Sequence, residues 1–109
     1  MKNLRKLNLT VAEAVQCIAS KCQNERSPIA YASAVLNSLL RCGIVTLQVD
    51  GKRVDPSWIA VNLTVVSDGL RTRCALEKPM DQYVWTISAA EIRNILANFD
   101  RTLATLFSF

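Results

Sequence analysis

Apolar side chains recur every three or four residues in two stretches near the N-terminus, a spacing typical of helices with one buried face. The first stretch, from about 10 to 22, begins with Thr10-Val11-Ala12-Glu13, which has the form of a capping box. The second begins at Ser27-Pro28, where serine suits the N-cap and proline the first helical position. It ends before Gly43, a residue suited to a helix C-terminus. The sequence therefore predicts two N-terminal helices.

From Ile44 onward the apolar residues alternate with polar ones, which is the period of a β-strand. Asp50-Gly51 then supplies two residues that tolerate positive φ, as a type I′ hairpin turn requires. Residues 52–54 return from this turn, and Asp55-Pro56-Ser57 is interpreted as the end of the ribbon. This part of the chain is predicted to form a β-hairpin.

Three further stretches show alternating patterns and are separated by turn residues such as Ser67-Asp68-Gly69. We predict strands over 58–66, 70–77 and 82–87. The apolar residues that alternate in the first of them are Ile59, Val61, Leu63 and Val65. The last strand would carry Tyr83, Trp85 and Ile87 on one side.

A second capping-box pattern, Ser88-Ala89-Ala90-Glu91, precedes an apolar stripe that runs to the end of the chain and predicts a C-terminal amphipathic helix. The four longer strands, joined by short connections, predict a four-stranded, mainly antiparallel sheet with helices on one face. The expected fold is one α+β domain over 1–109 with the order α-α-β-β-β-β-α.

Composition fits a folded single domain, since 50% of the 109 residues are hydrophobic and only 20% are charged. The net charge of +4 favours anionic partners. The first residues lack the apolar core of a secretory signal, and no apolar stretch is long enough to cross a membrane. We therefore expect a cytoplasmic protein without a membrane partner.

The chain contains no histidine, which removes the commonest general base and metal ligand. Its three glycines cannot form a phosphate-binding loop, and Asp50, Asp55, Asp68 and Asp81 fall in predicted turns. The four cysteines lack the spacing of zinc ribbons and are interpreted as structural thiols. We expect no enzymatic activity, no cofactor and no metal.

Basic residues form three groups that suit phosphate contacts. The candidate nucleic-acid-binding residues are Lys2, Arg5 and Lys6 near the N-terminus, Lys52 and Arg53 at the hairpin, and Arg71 and Arg73 on one strand face. In a sheet ordered by hairpins, the hairpin tip and the arginine strand would share one surface. The alternative is that these residues only form a solvated sheet face.

Apolar residues also exceed what one small core is expected to cover, which is typical of association surfaces. Candidate interface residues are Trp58, Leu103, Leu106, Phe107 and Phe109, and self-association as a symmetric homodimer or a larger oligomer is the expected use. The alternative is that the C-terminal phenylalanines pack into their own core.

Two functions from different classes follow. The first is a small basic module that binds nucleic acid, RNA or DNA, through phosphate contacts as a homodimer. The second is a protein–protein interaction module without nucleic-acid binding, such as the adaptors, inhibitors and assembly subunits that phages and viruses encode.

Overall fold

The computed structural model describes residues 7–107 of the chain and confirms the α+β class. In chain order the elements are β1 (Asn8–Leu9), α1 (Val11–Ala19), α2 (Pro28–Arg41), β2 (Leu47–Val49), β3 (Lys52–Arg53), α3 (Pro56–Asn62), β4 (Leu63–Val66), β5 (Gly69–Thr72), β6 (Trp85–Ser88), α4 (Ala89–Ala97) and α5 (Phe99–Phe107). A 3₁₀ helix, Met80–Gln82, precedes β6.

The strands form two sheets, one of four strands in the order β1-β6-β2-β3 and one containing β4 and β5. All pairs are antiparallel. The predicted four-stranded antiparallel sheet is confirmed, but its members differ from those predicted. The short strand β1 joins it, whereas β4 and β5 pair only with each other.

The first two helices lie where the sequence predicts them. In the capping box of α1, the Glu13 backbone N–H donates to the Thr10 hydroxyl (3.1 Å) and the Thr10 N–H to the Glu13 carboxylate (2.9 Å). The helix ends at Ala19, earlier than predicted. Ser27 occupies the N-cap position of α2, but its side chain makes no capping hydrogen bond.

Helix α2 ends in a Schellman motif. The Ile44 N–H donates to the Leu39 carbonyl at 3.0 Å and the Gly43 N–H to the Leu40 carbonyl at 3.2 Å. Gly43 has φ 75°, which confirms the interpretation of this glycine as the end of the helix. The chain then turns directly into the approach to β2.

The prediction of a long strand over 58–66 is wrong, because its first part is helix α3. Asp55 caps this helix by accepting from the Ser57 N–H (2.9 Å), and Pro56 occupies its first turn. Val61, which a strand would place beside buried Ile59, is 67% exposed. A helix cap therefore overrides a strand-like alternation, and only Leu63–Val66 pairs as a strand.

The strands predicted over 70–77 and 82–87 are also shorter than expected. Strand β5 stops at Thr72, whose hydroxyl accepts from the Cys74 N–H (3.1 Å) and donates to the Cys74 carbonyl (3.0 Å). This local closure turns the backbone away from a ladder. Residues 73–84 form a connection that contains the 3₁₀ helix.

The predicted single C-terminal helix is divided into α4 and α5 at Asn98, which has φ −123° and ψ 36°. The Asn94 carbonyl accepts from both the Asn98 side-chain amide (3.1 Å) and the Asn98 backbone N–H (3.2 Å) at this point. At the start of α4, Ser88 Oγ accepts from the Glu91 N–H (3.5 Å). The Glu91 carboxylate instead accepts from Thr46, so only half of the predicted capping box forms.

The core lies between the helices and one face of the four-stranded sheet. Opposing residues Leu9, Ile87 and Leu47 form a buried row across β1, β6 and β2. Polar Gln48 and Thr86 oppose each other on the other face. The largest fully buried helical side chains include Ile18, Leu36, Leu39, Leu40 and Ile92. This sheet face continues beyond the core and forms the wall of the candidate site.

Candidate nucleic-acid interface

An open cleft of about 350 Å³ lies between α3, the β2–β3 hairpin and the segment that leads into β6. We call it the aromatic cleft. Its described lining residues are Val49, Lys52, Arg53, Val54, Trp58, Leu76, Tyr83 and Trp85. Three residues singled out in the sequence, Lys52, Arg53 and Trp58, therefore meet in one place.

The sheet register explains why the hairpin and β6 face the same cleft. Trp85 lies opposite Val49, and Val49 lies opposite Lys52, so the three form one row across β6, β2 and β3. Directly opposed side chains share a face of the sheet. Tyr83 precedes Trp85 by two residues, and both line the cleft. The row adjoins the buried row of the core, which anchors the cleft wall.

Two aromatic side chains of the cleft, Tyr83 and Trp85, are held by contacts within the protein. The Tyr83 and Trp85 rings are 5.7 Å apart between centroids and inclined at 53°. The Trp85 indole N–H donates to the Met80 carbonyl at 3.1 Å. Trp58 remains 36% exposed on α3 and offers an accessible ring. Such fixed aromatic surfaces lose little conformational entropy when a flat group stacks on them.

The basic rim of the cleft comes from the hairpin. Asp50 and Gly51 have φ 50° and 82°, which confirms the predicted type I′ turn. Lys52 and Arg53 follow immediately and are exposed. They occupy β3, the edge strand of its sheet. Lys52 shares the face of Val49, whereas Arg53 lies opposite Gln48 and borders the cleft at the edge of the sheet.

A third cation, Lys78, lies beside the Tyr83 ring. The Lys78 ammonium lies 4.6 Å from the centroid of the Tyr83 ring and 3.8 Å from Asp50 Oδ2. Asp50 is tied to the segment before β6, because its N–H donates to the Val84 carbonyl (2.8 Å) and its Oδ1 accepts from the Val84 N–H (2.9 Å). The hairpin tip and the Lys78 connection are thus joined at the rim.

Arg71 and Arg73, the third predicted basic group, are exposed but do not line the aromatic cleft. Arg71 lies on β5, opposite Thr64 of β4, in the second sheet. The sequence analysis expected one sheet ordered by hairpins, in which these arginines would share a surface with the hairpin tip. That order is wrong, because the β2–β3 hairpin and the β4–β5 hairpin belong to different sheets. Lys2, Arg5 and Lys6 lie outside the described residues.

The predicted interface residues of the C-terminal helix divide into two kinds. Leu103 and Leu106 are partly buried and pack against the core. Phe107 is 52% exposed, and Phe109 lies outside the described residues. The leucines therefore contribute to the fold of their own chain, and Phe107 presents the apolar surface.

Sequence reasoning missed Tyr83, Trp85 and Leu76 as site residues, whereas it did place Lys78 near the predicted basic patch. It assigned the two aromatic residues to one strand face without a partner across the sheet. The available signal was the aromatic pair two residues apart together with a basic hairpin, a combination typical of single-stranded nucleic-acid binding. The partnership depends on the strand order, which brings β6 beside β2.

A second groove, of about 470 Å³, is also lined by Tyr83 and Trp85. Its lining is mostly apolar and includes Val11, Leu70 and Met80. Val84, also in its wall, is 62% exposed. This apolar groove is the larger of the two concavities that share the aromatic pair.

Comparisons with protein-family models, with curated proteins and with solved structures found no match. In the described part of the chain, no helix is long and apolar enough to cross a membrane. Nor do residues 7–107 contain a group of three or more histidine, cysteine or acidic side chains able to hold a metal ion.

Proposed function

We propose that the protein is a non-enzymatic module that binds single-stranded nucleic acid, RNA or DNA, in the aromatic cleft. The observation that supports this proposal is that three aromatic and two basic residues line one open cleft. They are Trp58, Tyr83, Trp85, Lys52 and Arg53. Bases stack on the aromatic rings, and the cations contact the phosphates that follow. A duplex keeps its bases stacked on one another, so it is expected to bind more weakly.

The overall charge supports an anionic partner. The chain carries a net charge of +4 and a pI near 9.1, a balance that raises the rate of encounter with polyanions. As part of the proposal, Arg71 and Arg73, together with the N-terminal Lys2, Arg5 and Lys6, add phosphate contacts outside the cleft. Their contribution is separate from base stacking and depends strongly on salt.

Two further features belong to the proposal. The exposed ring of Phe107 supports association of two copies as a homodimer, because large exposed apolar side chains favour burial against a partner. All four cysteines are free, which supports a reducing compartment and hence a cytoplasmic location.

The test is fluorescence anisotropy with labelled single-stranded RNA, single-stranded DNA and duplex DNA, at low and moderate salt. Trp58→Ala is expected to weaken single-strand binding about 5- to 150-fold, equivalent to about 1–3 kcal/mol for one stacked base. Lys52→Ala with Arg53→Ala is expected to reduce the slope of log affinity against log salt by about 1.4, for two single-strand phosphate contacts.

Matched controls separate a site from general charge and apolar effects. Val61→Ala changes another exposed residue of α3, one that does not line the cleft. Lys21→Ala with Arg26→Ala removes the same net charge from exposed positions beyond α1. Both controls should retain affinity more fully than the cleft variants. A wild-type protein that binds none of the oligonucleotides, or cleft variants that behave like the controls, would overturn the proposal.

The apolar groove favours one second candidate function, a protein–protein interaction module. Its described lining is mostly apolar, with exposed Val84 in its wall and the carboxylates of Asp68 and Asp81 at its border. Such a groove suits an apolar peptide segment more than a phosphate backbone. This second function would be favoured if the protein bound no nucleic acid and if Val84→Asp abolished the binding of a protein partner.

A further inference from the structure

We infer that Lys78 is a phosphate-binding residue of the aromatic cleft and that Asp50 competes with the nucleic acid for it. In the free protein Asp50 holds the Lys78 ammonium; in the complex Lys78 turns to a phosphate. This inference rests on the proposed function and concerns the regulation of the same site.

The first support is the position of Lys78. Its ammonium is 4.6 Å from the centroid of Tyr83, whose ring lines the cleft. A nucleotide whose base reaches Tyr83 therefore brings its phosphate within the range of a flexible lysine side chain. The same base replaces the ammonium where it covers the ring, which removes one of the two contacts that hold Lys78 in the free protein.

The second support is the weakness of the contact to be exchanged. The Lys78–Asp50 pair has a separation of 3.8 Å, with side chains 43% and 46% exposed. Ion pairs this exposed contribute little to stability, because water screens them and ordering two side chains costs entropy. A phosphate with a fixed position beside stacked bases is a stronger competitor for the ammonium.

The third support is that Asp50 is held where it is for structural reasons. It occupies the first central position of the type I′ turn with φ 50°, and it exchanges two hydrogen bonds with Val84. The carboxylate therefore stays at the rim when a ligand binds. Because it directly precedes Gly51 and Lys52, it also opposes the approach of any phosphate to the hairpin.

Asp50→Asn tests this arrangement with little structural change. Asparagine tolerates positive φ and is favoured before glycine in type I′ turns, and its side-chain oxygen still accepts from the Val84 N–H. Affinity for single-stranded oligonucleotides, measured by anisotropy, is expected to rise up to about 5-fold, the equivalent of about 1 kcal/mol for an exposed ion pair. Lys78→Ala alone should lower affinity.

A double-mutant cycle distinguishes competition for Lys78 from a simple loss of negative charge. The gain from Asp50→Asn should largely disappear in the Lys78→Ala background. Asp68→Asn, an equal charge change at an exposed position in the β4–β5 turn, should not reproduce the gain. Thermal melts of every variant verify that the fold persists.

Each outcome separates this inference from the proposed function. If the wild-type protein binds and Trp58→Ala weakens binding, the proposed function stands. If Asp50→Asn then has the same effect on affinity with Lys78 present and with Lys78→Ala, the inference is overturned. No gain from Asp50→Asn in a protein that binds overturns it as well. Failure of the wild-type protein to bind any of the oligonucleotides overturns both.

Discussion

At Gly43 the backbone and the packing both oppose a side chain. The residue has φ 75°, in the left-handed region that closes the Schellman motif of α2. A Cβ atom there would lie 3.3 Å from Pro56 Cγ, a tight approach between the end of α2 and the start of α3. This glycine therefore sets the distance between the two helices.

Gly43→Ala is expected to lower the free energy of unfolding by about 1–2 kcal/mol from left-handed strain alone, with a further loss from the Pro56 contact. Gly51→Ala is the matched control, because Gly51 has φ 82° but no atom within 4 Å of the added Cβ. Urea denaturation measures both. Equal losses would show that Pro56 moves aside without cost.

Asp50 and Asp55 show how aspartates in similar sequence contexts differ in role. Asp50 forms the turn and borders the cleft, whereas Asp55 starts a helix. Both were interpreted from the sequence as turn residues, but only Asp55 makes a local hydrogen bond, to Ser57, whereas the Asp50 carboxylate accepts from the N–H of the distant Val84. Only the next residue distinguishes them: Gly51 continues a hairpin, and Pro56 occupies the first turn of α3.

Among the elements, α3 is the one on which the aromatic cleft most depends, since it carries Trp58 and directs Ile59 into the core. Its cap is the Asp55 carboxylate, which accepts from the Ser57 hydroxyl at 2.7 Å and from the Ser57 N–H at 2.9 Å. The hydrogen bond from the hydroxyl, and then that from the N–H, lowers the pKa of Asp55 below its ordinary value of 3.8.

Asp55→Ala is expected to lower the melting temperature at neutral pH, since α3 loses its cap. Because the pKa of Asp55 is lower in the folded state, the stabilisation from its charged form is fully present above about pH 3.8. It is lost as the pH falls through the lower pKa of the folded state. The difference between wild type and Asp55→Ala should therefore narrow in acid, as followed by circular dichroism.

Asp55→Asn is the control for this pH dependence, because asparagine caps helices without titrating. Its advantage over Asp55→Ala should persist into acid. A difference between wild type and Asp55→Ala that stays constant with pH would show that the charge of Asp55 takes no part in capping.

At the scale of the whole molecule, Phe107 is a large apolar side chain exposed at the surface. Leu103 and Leu106 of the same helix pack against the core, so α5 is docked on its own chain while Phe107 stays exposed. An exposed phenylalanine beside a docked helix face supports contact with a second copy through a symmetric interface.

Phe107→Ser is expected to convert the proposed homodimer into single chains of 12.1 kDa, as measured by light scattering on a sizing column. Val61→Ser, which changes a comparably exposed apolar residue on α3, should leave the mass unchanged. A dimer that survives Phe107→Ser would remove this residue from the interface, and a wild-type protein that elutes as a monomer would remove self-association altogether.

Local signals in the sequence determined several helix ends and one turn of this protein. Thr10 and Glu13, Pro28, Gly43, and Asp50-Gly51 predicted two helices, a helix end and a hairpin turn, each confirmed. They succeed because a cap or a tight turn is decided by a few adjacent residues whose hydrogen bonds and φ angles are local. The α+β class followed from the change of apolar period along the chain.

Tertiary structure decided the strand order and hence the candidate site. The alternating pattern of 58–66 fits a strand as well as a short capped helix, and the choice depends on how Ile59 packs while Val61 faces solvent. Pairing of β6 with β2 brings Trp85 beside Val49 and Lys52. Such pairings join residues distant in the chain through burial and backbone hydrogen bonds, which no short segment encodes by itself.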